Sequence, residues 1–285
     1  MNWLASPRPL VNVRLSPSNF YALTLSVILE IILRDFWGIF CVIFTAVQDP
    51  FCLADCAATA GPVRRAGAMN RVTLSFDNGP SPGITEGVLE VLARYGLLST
   101  FFVIGQRLEA PRNAALLQAI SAAGHWVGNH TWSHSVAFGD RPDAAYAREE
   151  IDRAQALIGE LAGQEKLFRP YGNYGLLGRH LFSRSALSYL REHGYTTISW
   201  TAVPGDWCRP DWDRDFETRF GDQDWPVVVL HDIENACLAR LPDFIARLRD
   251  RGFDLRQGFP ESVVVTRKGR FVTLSGALVA DGPPT

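Results

Sequence analysis

His130 and His134 stand four residues apart and are the first residues in this chain that could do chemistry together. A helical turn would bring side chains at that spacing to one side. Two imidazoles and one oxygen donor, with a position left open for water, make a standard hydrolytic zinc arrangement. Further polar clusters follow along the chain: Asp77 with Asn78, Arg169 with Pro170 and Tyr171, Asp206 with Trp207, and His231 with Asp232. A positioned carboxylate can take a proton from water, and a histidine can return one near neutral pH. Taken singly, each cluster has a plain reading: an exposed helical histidine pair, an Asp-Asn-Gly-Pro turn, a core histidine, a loop aspartate. Taken together they read as the polar groups of one site.

The clusters share one position, the end of a segment that reads as a strand. Val72 to Phe76 alternates and is β-rich, and Ser99 to Ile104 reads as a buried strand. His125 to Gly128, Tyr195 to Trp200 and Val227 to Leu230 are further strands. Helical spacing lies between them. Ile84, Val88, Val91, Leu92 and Tyr95 stop at Gly96, and Leu116, Leu117 and Ile120 stop at Gly124. Ala147, Ile151, Ala154, Ile158 and Leu161 stop at Gly163, and Leu238, Leu241, Ile245 and Leu248 stop at Gly252. The alternation predicts an α/β fold of parallel strands with helices outside, either an open sheet or a barrel. In a barrel all these strand ends meet on one face, where active sites lie.

Composition narrows the partners. Lys and Arg number 28 against 30 Asp and Glu, a net charge of −2. That gives no electrostatic basis for binding nucleic acid or an anionic membrane, and a neutral or zwitterionic substrate fits better. The five cysteines, Cys41, Cys52, Cys56, Cys208 and Cys237, form no C-x-x-C pair. Their odd count argues against a disulfide framework, and they read as unpaired thiols.

The same residues carry a resemblance. S-F-D-N-G-P (75–80) resembles the T-F-D-D-G-P motif of the polysaccharide deacetylase family, which includes nodulation-type chitooligosaccharide deacetylases. N-H-T-W-S-H (129–134) is similar to its H-[ST]-x-x-H motif, and F-R-P-Y-G (168–172) to its R-x-P-[YF] motif. G-D-W (205–207) is similar to its D-W motif and L-H-D (230–232) to its closing histidine motif. The resemblance runs from Met69 to about Phe259. It implies a distorted (β/α)7 barrel and removal of N-acetyl groups from an amino sugar, oligosaccharide or polysaccharide. It implies His130 and His134 as ligands of a divalent metal, zinc as the expected ion, with the third donor at Asn78. The family has an aspartate there, so an amide without charge weakens the site. By the same resemblance Asp77 is the general base and His231 the general acid. Arg169 holds Asp77, Asp206 pairs with the arginine or tunes His231, and the Tyr171 backbone N–H assists at the oxyanion. Arg169 abuts Pro170, a motif one residue shorter than the family's usual form. Trp132, Trp207 and Trp212 are candidate flat faces for sugar rings. His125, His180 and His193 match no ligand position.

Asn78 keeps two other readings open: a catalytically impaired carbohydrate-binding module on the same fold, and a metal-free amide hydrolase. Residues 1–68 do not match the family and divide from a deacetylase domain at 69–285. Only Met1 and Met69 are methionines, so translation starting at Met69 is one expectation, with a cytoplasmic enzyme as its consequence. Another is a membrane anchor or poor signal built from the apolar runs Phe20–Leu33 and Phe36–Val47, split by Arg34 and Asp35, which would make the protein membrane-anchored or exported. Each run is shorter than the ~20 apolar residues of a spanning helix. A folded extension is the third.

Overall fold

The computed structural model describes residues 71–280; the readings placed on 1–68 lie outside the described residues. Strand β1 (Arg71–Asp77) is buried from its second residue onward, so both faces are covered, as in a parallel sheet clad by helices. It is followed by helix α1 (Ile84–Arg94), β2 (Thr100–Val103), α2 (Pro111–Ala122), β3 (Trp126–Asn129) and α3 (Ala144–Ile158). Then come β4 (Leu167–Phe168), α4 (Arg184–Glu192), β5 (Thr196–Ile198), α5 (Phe216–Phe220), β6 (Val227–His231), α6 (Leu241–Asp250) and β7 (Asp254–Leu255). Strands β8 (Val264–Arg267) and β9 (Arg270–Phe271) close the series.

Strands β1 to β7 pair in parallel, in the path β6-β1-β2-β3-β4-β5 with β7 added to β1. The barrel is distorted at its closure. The antiparallel strand β8 pairs with β5, so only the chain just past β5 reaches β6, through a parallel bridge between Ala202 and Val228. Helices α4 and α5, strand β7 and the β8–β9 pair go beyond the sequence expectation. Among the described residues no helix is long and apolar enough to cross a membrane.

The core lies where the helices meet the sheet. Val72, Leu74 and Phe76 of β1 pack with Val88 and Leu92 of α1 and with Phe244, Ile245 and Leu248 of α6. All but Phe244 are apolar positions of the sequence pattern. Register then sets the site. Asp77 is level with His231, and Asn129 is level with Val103 and Phe168. The next residues, His130 and Arg169, therefore leave the barrel at the same height; His130 N–H donates to the Val103 carbonyl (3.0 Å) and Arg169 N–H to the Asn129 carbonyl (2.9 Å).

Gly128 in β3 makes room for this layer. A Cβ there would lie 2.4 Å from the Phe102 ring and 3.3 Å from Leu167 Cβ. Phe102 is fully buried and carries the Arg169 guanidinium 4.0 Å above its ring. Gly128→Ala should destabilise the domain by about 1–3 kcal/mol, the usual cost of overpacking, read as a lower thermal midpoint against wild type.

Candidate active site

Asp77, Asn78, His130, His134, Tyr171, Trp207 and His231 line one cavity of about 270 Å³ at the C-terminal ends of the parallel strands. Arg169 lies beneath it with no exposed surface. Its Nη1 donates to Asp77 Oδ1 (2.8 Å) and to Ser75 Oγ (2.8 Å). Burial lowers the Arg169 pKa, and the Asp77 charge works against that. Arg169 holds one Asp77 oxygen and leaves Oδ2 toward the cavity, 3.6 Å from His130 Nε2.

His130 is oriented from behind. Its Nδ1 lies 2.9 Å from the Arg169 carbonyl oxygen, which can only accept, so Nδ1 carries the proton and Nε2 keeps a lone pair. Burial drives its pKa down to about 3, which keeps the ring neutral. The His134 ring centroid is 4.7 Å from that of His130 and 4.4 Å from that of Tyr171. Burial, then the neighbouring His130, lowers its pKa to about 2.

The two histidines do not meet through a helical turn, as their spacing suggests. The 130–134 segment is a loop with Thr131 (φ 67°) and His134 (φ 52°) in the left-handed region. Glu150, on the buried face of α3, fixes it. Its Oε2 accepts from the N–H groups of Trp132 (3.1 Å) and Ser133 (2.9 Å), and its Oε1 from the Ser133 hydroxyl (2.7 Å). Asn129 Oδ1 accepts from Thr131 N–H (2.9 Å). Glu150 did not stand out as a site residue by type. The signal available was position: it lies three residues after Ala147 and four before Ala154, on the apolar stripe, where a lone carboxylate is rare.

His231 is held by Asp206, whose Oδ2 accepts from His231 N–H (2.8 Å) and whose Oδ1 lies 2.8 Å from His231 Nδ1. Burial opposes the charged imidazole, but the Asp206 hydrogen bond and charge outweigh it and the His231 pKa rises. Of the two roles open to Asp206, the geometry matches the partner of the histidine; Arg169 bonds to Asp77 instead. Asp232 points away from the cavity. It accepts from Thr85 Oγ1 (2.6 Å) and lies against Gly79, where a Cβ would be 2.0 Å from its Oδ2. Burial raises its pKa to about 7.

The tryptophans divide. Trp207 stands edge-on to His231, with ring centroids 4.6 Å apart, and lines the cavity. Trp132 does not line it. It is 7% exposed, under the Arg153 guanidinium at 3.8 Å, because the loop that aims its neighbours inward turns it onto α3. Trp212 is 1% exposed and packs on Phe244. Both are core, not sugar platforms. Tyr174 and Trp200 line the cavity without having been expected to.

Among the described residues, no group of three His, Cys, Asp or Glu side chains forms a ready metal site. The available donors are His130, His134 and the amide oxygen of Asn78. Asn78 Oδ1 is buried with no hydrogen-bond partner, and Asn78 adopts φ 72°, a conformation asparagine tolerates better than most residues. A buried carbonyl oxygen without a partner is costly, and Asn78 lines the same cavity as the two neutral imidazoles, a set of donor types a divalent ion accepts. The residues fit a metal.

The polysaccharide deacetylase family model matches residues 64–198. The chain is 30% identical over 200 residues to the chitooligosaccharide deacetylase of Sinorhizobium fredii, covering 65% of this chain and 88% of that protein. The family 4 carbohydrate esterase of Streptomyces lividans, solved with acetate, is 31% identical with a TM-score of 0.54, covering 67% of this chain and 92% of that one. A family 4 acetyl xylan esterase of Clostridium thermocellum, solved with a cobalt ion, is 27% identical with a TM-score of 0.53, covering 65% and 86%. The barrel and its rim define a deacetylating hydrolase. The chain belongs to the polysaccharide deacetylase family.

Glu150→Ala leaves two loop N–H groups without their acceptor, each worth about 1–3 kcal/mol when buried and unpaired. Metal affinity should fall by about 10–100-fold, as for other groups that orient ligands. Metal titration of the variant alongside its melting curve checks both effects.

Proposed function

We propose that the chain removes N-acetyl groups from an N-acetylated amino sugar, oligosaccharide or polysaccharide, releasing acetate. The observation that carries this is the pairing, in register across β1 and β6, of Asp77 with His231, above a cavity that also holds both imidazoles. His130, His134 and Asn78 would hold a divalent ion, for which we propose zinc. Such an ion, when bound, polarises the acetamide carbonyl and lowers the pKa of water. Asp77 Oδ2, free of Arg169, takes the proton of the attacking water. His231, kept protonated by Asp206, gives its Nε2 proton to the departing amine. The Tyr171 backbone N–H is the proposed further donor to the oxyanion. The apolar wall of Trp200, Val203 and Val229 suits the acetyl methyl.

The impaired binding-module reading is less well supported. The base, its arginine, the acid and its aspartate all keep hydrogen-bonded geometry. An acetate-release screen across N-acetylated glycans with added zinc, cobalt or nickel tests the proposal. Acetate from at least one glycan is expected. Glycan binding with no acetate under any metal would favour the binding module instead.

The pH profile should carry an alkaline limb above the ordinary histidine range. The His231 pKa is raised, its proton is needed, and activity is lost as pH rises through that value. Asp206→Asn removes the charge that raises it, so the limb should move to lower pH. An unmoved limb would exclude His231 as the acid.

A further inference from the structure

We infer that Tyr174 is a platform for the sugar ring adjoining the one that is deacetylated and so sets how strongly this chain favours a longer substrate over a single ring. The inference rests on the deacetylase reading and deepens it. Tyr174 lines the same cavity as His130 and His231, yet it is 76% exposed, the highest value among the large hydrophobic residues described as exposed. Its backbone is left-handed, φ 57° and ψ 20°. A bulky side chain rarely adopts that conformation, and glycine adopts it freely.

The conformation is imposed by what flanks it. The Trp200 indole N–H donates to the Gly175 carbonyl (2.8 Å), and a Cβ on Gly172 would lie 2.3 Å from the Trp200 ring. A Cβ on Gly175 would lie 2.7 Å from Val203. Both ends of the turn are therefore sealed against the barrel, and its tip is fixed at the cavity mouth. The ring gains little from burial there, so the free protein has no evident compensation for the strain. Retained outliers of this kind are concentrated at ligand clamps. The ligand that suits a tyrosine ring at the edge of a small cavity with both apolar and polar walls has a flat C–H face and a hydroxyl rim, which is a pyranose ring. Apolar contact with the aromatic face supplies affinity, and the phenol oxygen remains for a sugar hydroxyl.

The test compares wild type with Tyr174→Ala, Tyr174→Trp and Tyr174→Gly in the metal-loaded enzyme. The substrates are N-acetylchitotetraose and the single-ring methyl N-acetylglucosaminide. For Tyr174→Ala, KM on the tetramer should rise about tenfold, the scale of one aromatic contact, with a smaller effect on kcat. The loss on the single ring should be smaller. Tyr174→Trp should keep most of the tetramer affinity. Tyr174→Gly should lose it, yet melt about 2 °C higher or more because the strain is relieved. Equal losses on both substrates, no loss on the tetramer, or a lower melting point for Tyr174→Gly would overturn the inference. A wild-type enzyme inert on every glycan would defeat the deacetylase reading itself. Turnover by wild type without a Tyr174 effect would defeat only this one.

Discussion

The buried ion pair between Arg169 and Asp77 is the interaction on which the rest of the site depends. Removing one partner of such a pair leaves an uncompensated charge and typically costs about 3–5 kcal/mol. Here the pair joins the ends of β1 and β4 inside the barrel. The guanidinium also touches Ser75 of β1 and lies on the Phe102 ring from β2. The backbone carbonyl of the same arginine sets the tautomer of His130. One residue therefore fixes the proposed base with its side chain and a proposed ligand with its main chain. The consequence is selectivity between the two Asp77 oxygens, with Oδ1 held and Oδ2 available.

Charge is distributed sparingly around the cavity. Both imidazoles of the pair are kept neutral by burial, and Asn78 contributes an oxygen without charge. Asp77 is then the carboxylate lining the cavity. This arrangement can accept a cation, but it gives less electrostatic attraction than a second carboxylate would. Asp206 and Asp232, both behind the rim, act differently. Asp206 grips the backbone and ring of His231, while Asp232 fills the space that Gly79 leaves under the Asp77–Asn78 turn.

Strands β1, β3 and β6 were legible in the sequence because each is a short apolar run ended by a polar residue, and the barrel layer converts those ends into one rim. The residue types of the site were legible for the same reason. The route by which His130 and His134 converge was not. Spacing of four fits a helical turn, but Thr131 and His134 in left-handed conformations with Glu150 as anchor give a loop, and those long-range hydrogen bonds leave no local periodicity. Trp132 misled because its neighbours in sequence face the cavity while its own side chain turns to α3. Tyr174 was missed because a position imposed by distant Trp200 and Val203 has no local signature. The β8 strand escaped because a short valine run after the last catalytic-looking residue has no partner that sequence alone can name.

His130, His134 and Asn78 are proposed to act as one donor set for a single ion. Cobalt(II) titration of metal-free protein, followed by its visible absorption, tests it directly. One equivalent should bind. Binding should be lost in His130→Ala and His134→Ala, and should tighten by about 10–100-fold in Asn78→Asp, by analogy with the cost of weaker perturbations around metal ligands. Absence of binding, or affinity that ignores all three substitutions, would mean that these three residues do not form a metal site.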